Sequence, residues 1–189
     1  MTRAENSETR RLPRGSHGIP PDVVARNQRE RLVAAMAEEC AEGGYAEASV
    51  AGVAKRAGVS SATFYEQFGD KQDCMLAAHR QLVGRLLEAV DAADAQETGS
   101  QRAGGTLHTL LALLAADPPS ARLLTVEILA AGREGSKRHD AMVEAIAERL
   151  GVDWVRAAGA LALIGKLVMA GEAARLPELE AELTVSLSS

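Results

Sequence analysis

The stretch AGVSSATFYEQFGDK, residues 57–71, constrains the fold of this chain more than any other. Gly58 stands between an apolar segment that ends at Ala57 and another that opens at Ser60, so two helices must change direction across one glycine and Val59. A turn this short needs a residue that tolerates unusual dihedrals, and glycine is that residue. Ser49 and Ser60 each precede a short apolar segment, where a hydroxyl can accept from the first unpaired amides. The expectation is one helix from Ser49 through Ala57 and a second from Ser60 to about Phe68. Val53, Ala54, Val59 and Phe64 would lock the pair at a fixed angle, and Ala54 is small enough to let the two approach closely. With a longer helix ahead of them they describe a helix-turn-helix, whose last helix can offer its leading residues to a DNA major groove.

The rest of the chain reads as helix. From Pro21 to about Glu42, Val24, Leu32, Ala35, Met36 and Cys40 fall near one face, and Gly43-Gly44 supplies the stop. Asp70 caps a long helix whose apolar positions, Met75 and Leu76 through Leu82, Val83, Leu86, Leu87 and Val90, run to the polar stretch over residues 91–105. Leu107, Leu110, Leu111 and Leu114 mark a fifth helix, and Pro118-Pro119 suits the opening of a sixth, where their missing amides would be unpaired anyway. A break near Gly132 precedes a helix from about Ser136 to Leu150. Another runs from Asp153 to about Ala173, and Pro177 opens a short last one ending near Leu187. No strand pattern and no internal repeat is present. The fold expected is all-α, about nine helices.

Charge and aromatic content point the same way. Four of the five aromatic residues, Tyr45, Phe64, Tyr65 and Phe68, lie between positions 45 and 68, leaving only Trp154 beyond. The net charge of −5 is uneven: residues 1–31 hold seven arginines against four acids, and residues 91–189 hold nine basic against fourteen acidic side chains. A basic leading end on an acidic remainder is compatible with DNA binding at that end only. Residues 1–20, polar and without apolar periodicity, read as a flexible basic arm. Arg10, Arg11 and Arg14 would either enter an adjacent minor groove or stay unstructured. Cys40 and Cys74 have no metal-type spacing; buried reduced thiols and a redox switch are the two readings. The apolar run AAGALALIG is cut by Lys166 well short of the ~18 residues of a membrane span, so no membrane passage and a cytoplasmic protein are expected.

Residues 26–80 resemble the DNA-binding domain of the TetR family of transcriptional repressors. The resemblance is carried, in order, by Gly44-Tyr45, Ser49, Ala57-Gly58-Val59-Ser60, Phe64-Tyr65, Phe68 and Lys71. It implies a helix-turn-helix domain over 21–70 and an effector-binding and dimerisation domain over 71–189. It places Ser61, Thr63 and Tyr65 at the DNA surface and Lys71 with the amides of the following helix on a phosphate. Ser49 is likewise a phosphate contact, where helix dipole and free amides favour an anion. Ser60 and Gln67 complete the candidate DNA-binding set. Tyr65 has core packing as its alternative role. Glu66 is either solvent-facing, ion-paired, or a reader of a cytosine amine. Lys55, Arg56 and one of Arg26, Arg29 and Arg31 are further backbone contacts or members of a solvated face.

For the second half the resemblance implies a cavity lined by Leu86, Leu107, Leu110, Leu111, Leu114, Leu124, Ile128, Met142 and Ile146. His108, Thr125, Glu127 or His139 are candidate polar anchors; residues of these types are more often ordinary core or surface than ligand contacts. Ala157, Ala158, Gly159, Ala160, Ala162 and Gly165 make a helix surface that admits close approach of another helix. A two-fold partner would meet Trp154, Ala158, Leu161, Gly165, Val168, Leu179 and Leu183 in a four-helix bundle. The function implied is a homodimeric repressor released from a palindromic operator by a small-molecule effector, without cofactor or catalysis. A small-molecule carrier and an activator on the same fold are its rivals. The chain has no glycine-rich phosphate loop, metal-ligand spacing or nucleophile-base set that would support an enzyme.

Overall fold

The computed structural model describes residues 20–95 and 102–188. The expected arm, with Arg10, Arg11 and Arg14, lies outside these residues apart from Pro20. Among the described residues nine α-helices follow in order: α1 (Pro21–Glu47), α2 (Val50–Ala57), α3 (Ser61–Gln67), α4 (Lys71–Asp94), α5 (Arg102–Ala116), α6 (Pro118–Thr125), α7 (Gly132–Leu150), α8 (Trp154–Met169) and α9 (Glu180–Ser188). Two 3₁₀ segments, Glu127–Ala131 and Ala173–Leu179, complete the order, and no strand occurs among the described residues.

Five helices start the same way. Ser49, Ser60, Asp70, Asp117 and Asp153 each accept, through the side chain, the amide hydrogen three residues ahead. This satisfies one of the donors that a helix leaves unpaired at its start. Gly58 ends α2 in the left-handed region, at φ 65°.

α1 packs on α2, α4 and α6, while α4 runs on to meet α5 and α7. α8 lies against α6 and α7, and α9 closes over α5 and α8. One apolar core runs through the whole, from Leu32, Met36 and Phe64 past Met75 to Leu111, Leu123, Ile128 and Ile164. None of the described helices is long and apolar enough to cross a membrane.

The differences from expectation have local causes. α1 does not simply stop at Gly43-Gly44: it kinks at Gly44, φ 80°, and winds one more turn to Glu47. Val24, expected on its apolar face, is exposed, as are most residues in the first two turns of α1. α7 starts at Gly132, ahead of Ser136. Its Gly135 is pressed so closely on the 3₁₀ segment that a Cβ there would sit 2.0 Å from the Ile128 carbonyl oxygen. α8 ends at Met169, before a turn in which Gly171 takes φ 75°. Pro177 lies inside a 3₁₀ segment, and α9 begins after it, at Glu180.

Candidate nucleic-acid interface

α3 stands on two rings. Phe64 and Phe68 are 0% and 4% exposed, with centroids 5.5 Å apart, whereas Tyr65, about 100° round the helix from Phe64, is 59% exposed. Tyr65 still touches Phe64 edge-on, at 5.5 Å and 82°, so its ring is braced while its hydroxyl faces outward. Core packing is therefore not the role of this tyrosine. Ser61 and Glu66 are exposed beside it, and Thr63 and Gln67 are half-buried. Ser60 Oγ accepts from Thr63 N at 3.0 Å and lies 3.0 Å from Thr63 Oγ1. Ser49 Oγ accepts from Gly52 N at 3.0 Å and remains exposed. A hydroxyl that accepts from its own helix keeps its hydrogen for an outside acceptor such as a phosphate oxygen.

The basic residues near this face serve mainly to hold it. Arg29 donates to the Gln67 carbonyl at 2.6 Å and lies 4.2 Å over the Phe68 ring, capping the end of α3. Arg31 donates to the carbonyls of Ala57 and Gly58, capping α2. Arg56 reaches across to Glu38, Glu39 and Glu42 of α1. Lys55 and Arg26 are exposed. Cations at carbonyl ends offset the negative pole of a helix, a use that the sequence reading did not single out.

Lys71 is placed differently from expectation. Its ammonium donates to the carbonyls of Tyr45 (2.8 Å), Ala48 (2.9 Å) and Ala46 (3.4 Å), and lies 4.4 Å from the Tyr45 ring centroid. The corner between α1 and α2 thus occupies the charge expected on a phosphate. At the same helix start, Asp70 Oδ1 accepts from Asp73 N at 2.8 Å, and Asp73 Oδ2 accepts from Gly69 N at 3.2 Å.

The expected effector lining divides between buried core and the walls of two clefts. Leu107, Leu111, Ile128, Met142 and Ile146 are each at most 3% exposed. Leu86, Leu114 and Leu124 border the cleft of about 170 Å³ between α4, α5 and α6, which Leu82, Leu113 and Ala121 complete with Arg85, Asp117 and Ser120; Leu107 borders a separate cleft with Leu150, Val152 and Leu187. His108 is exposed and bonds Glu180 Oε2 at 2.7 Å, tying α5 to α9. Thr125 donates to the Ala121 carbonyl within α6. His139 neighbours Asp140 on α7. Glu127, 7% exposed, accepts from Tyr45 N at 2.7 Å and from Arg122 Nε at 2.8 Å. The signal for that contact was a carboxylate set in the apolar run LLTVEILAA.

The small-residue helix also divides differently. Leu161, Gly165 and Val168 of α8 and Leu183 of α9 are buried within the protomer, Gly165 against Thr125 of α6 and the Val126 that follows it, which leaves them little surface to offer a partner chain. Trp154 is exposed, and Ala158 and Leu179 are half-buried. The open face of α8 is instead Val155, Gly159, Ala162, Lys166 and Met169, a stripe at helical spacing, with Val185 of α9 exposed nearby in sequence to the buried Leu183. Cys40 and Cys74 are buried thiols, and burial pushes both up to about 12. A thiol in that state is inert, which favours the structural reading.

An all-helical chain that presents a capped, ring-braced helix-turn-helix at one end has the architecture of a helix-turn-helix regulator. Residues 32–78 match the family of bacterial regulatory proteins, tetR family. Over 72 residues the chain is 42% identical to the HTH-type transcriptional regulator BetI of Stenotrophomonas maltophilia (strain R551-3), covering 38% of this chain and 37% of that one. Over 100 residues it is 28% identical to the fatty acid metabolism regulator protein of Bacillus subtilis (strain 168), covering 52% and 51%. The matches thus span about half or less of these relatives' length. The fold extends further. The crystal structure of the transcriptional regulator FadR from Bacillus subtilis in complex with stearoyl-CoA superposes with a TM-score of 0.72 at 20% identity, over 84% of this chain and 97% of that one. The family match thus covers residues 32–78, and beyond them the likeness to known regulators is one of fold.

Proposed function

We propose that the chain is a homodimeric transcriptional repressor that binds a near-palindromic DNA operator and leaves it when a small molecule occupies the second half. The observation that carries this reading is the exposed leading end of α3, with Tyr65 outward over a buried Phe64. Residues 21–70 act as the DNA-binding domain and residues 71–189 as the effector and dimerisation domain. Ser49, Ser60, Ser61, Thr63, Tyr65 and Gln67 make the DNA contacts. Exposed Lys55 supplies charge, and Lys71 braces the corner that supports them. Val155, Ala162 and Met169 meet their copies in a partner, setting two recognition helices about 34–36 Å apart, one turn of DNA.

The effector site is the cleft between α4, α5 and α6. Its leucines and Arg85 suit an aliphatic ligand with an anionic end, in keeping with the acyl ligand of the Bacillus relative. At about 170 Å³ the cleft is smaller than the roughly 300–1,000 Å³ usual for ligand pockets, so a long chain requires α4 and α6 to part.

The test is selection of duplexes from random-sequence DNA by the purified protein, followed by gel shift. A two-fold symmetric consensus bound in the nanomolar range supports the proposal; absence of any enriched sequence at low salt overturns it in favour of a carrier.

A further inference from the structure

The kink in α1 is filled from outside the helix. In an unbroken helix Tyr45 N would donate to Ala41 O, four residues back. Gly44, at φ 80°, opens that bond, and the ion pair of Arg122 and Glu127 replaces both lost partners. Arg122 Nη1 donates to Ala41 O at 2.7 Å, Glu127 Oε2 accepts from Tyr45 N at 2.7 Å, and the two side chains join through Arg122 Nε and Glu127 Oε1 at 2.8 Å. The fit is close: a Cβ on Gly44 would lie 3.4 Å from Glu127 Oε2. Glu127 is 7% exposed, and a buried carboxylate that loses its partner is costly. The ion pair is therefore either seated in the kink or absent from it.

Arg122 belongs to α6, whose Ser120, Ala121 and Leu124 border the cleft. At 100° per residue, Arg122 lies about 160° round this eight-residue helix from Ser120 and Leu124 and about 100° from Ala121. One side of α6 faces the cleft and the other grips the end of α1, from which the chain turns into α2. On the far side of that corner Lys71 holds the carbonyls of Tyr45, Ala46 and Ala48, and Gln72 of α4 donates to the Ala131 carbonyl at 2.7 Å.

We propose that Arg122 and Glu127 are positioning residues that wedge open the α1 kink and so transmit the state of the cleft to the direction in which the helix-turn-helix projects. Glycine at position 44 makes both states accessible. With the wedge seated, φ is positive and the two orphaned groups are satisfied. With α6 displaced by a ligand, Gly44 returns to helical dihedrals, Tyr45 N bonds Ala41 O, and α2 with α3 swings relative to α4. Both ends of this two-state element are in contact with a binding surface, which is the physical requirement for coupling. The inference rests on the regulator reading.

The experiment is a double-mutant cycle with Glu127→Ala and Gly44→Ala, each checked by thermal melting, on a duplex selected by the wild-type protein. Hydrogen exchange over residues 118–125 is followed with and without that duplex. Each single variant is expected to weaken binding between about two- and thirtyfold, and the double variant no more than the worse single one, because both act on one kink. DNA is expected to slow exchange in residues 118–125 of the wild type, by reciprocity of coupling, and not in Glu127→Ala. Glu127→Gln, which keeps an acceptor for Tyr45 N, is expected to fall between and carries the test if Glu127→Ala fails to fold. Additive losses in the cycle, or DNA-dependent protection of 118–125 that survives in the Glu127 variants, overturn the wedge while leaving the regulator reading intact. A wild type that binds no duplex overturns that reading first, and the wedge with it.

Discussion

Phe64 and Tyr65 are adjacent in sequence and opposite in role, which makes them separable by mutation. Phe64→Ala should cost about 3–5 kcal/mol in urea unfolding, the usual range for a fully buried ring. Tyr65→Ala should leave the melting temperature within a few degrees and still weaken DNA binding at least tenfold; equal affinity would remove Tyr65 from the interface. His79 offers a second residue-scale check. It is 2% exposed, its Nε2 has no partner among the described residues, and burial, with His139 and Arg138 nearby, lowers its pKa from 6.5 to about 4. The unfolded chain therefore takes up the proton first as pH falls. The stability linked to neutral His79 is complete above pH 6.5 and is lost as the pH drops toward 4. At 1.36 kcal/mol per unit, roughly 2 kcal/mol should disappear between pH 7 and pH 5. His79→Leu should flatten that part of the unfolding profile, leaving the smaller contribution of His139, whose pKa burial also lowers. Tyr65 and both phenylalanines were legible because one helical turn separates Phe64 from Phe68. The burial of His79 was not, since a lone histidine carries no periodicity of its own.

At the scale of elements, helix starts were the most legible feature, because a cap is a local device: Ser49, Ser60 and Asp70 each need only their own next three residues. Boundaries set by neighbours were less so. The start of α7 at Gly132, ahead of Ser136, and the extra turn of α1 beyond Gly44 both depend on the 3₁₀ segment Glu127–Ala131, which touches each of them. Gly135 tests that dependence. Its missing Cβ leaves room for a backbone oxygen, which cannot rotate away as a side chain can, so Gly135→Ala should cost about 3 kcal/mol despite alanine's better helix propensity. A urea midpoint unchanged by Gly135→Ala would show that α7 can shift off the segment.

On the scale of the whole molecule, the proposed DNA binding by one end of an acidic chain must rest on few local charges. The logarithm of its affinity should fall linearly with the logarithm of salt concentration, at a slope near −0.9 per phosphate contact. Lys55→Ala should lower that slope by about one unit per protomer, measured by titration at several salt concentrations. The exposed α8 stripe makes a second prediction: Ala162→Glu should convert a dimer into a folded monomer in sedimentation, whereas the same test at buried Leu161 would only unfold the protein. What the sequence determined by itself was whatever depends on spacing along one helix: the helical class, the caps, the glycine turn and the ring pair beneath α3. What only the tertiary structure decided was which side chains meet across helices: the Lys71 brace, the Arg122–Glu127 pair in the α1 kink, and the face of α8 left open to a partner. The reason is range: a helix repeats every 3.6 residues and shows its faces in its own letters, but which face is covered depends on a helix up to 82 positions away, the separation of Tyr45 from Glu127.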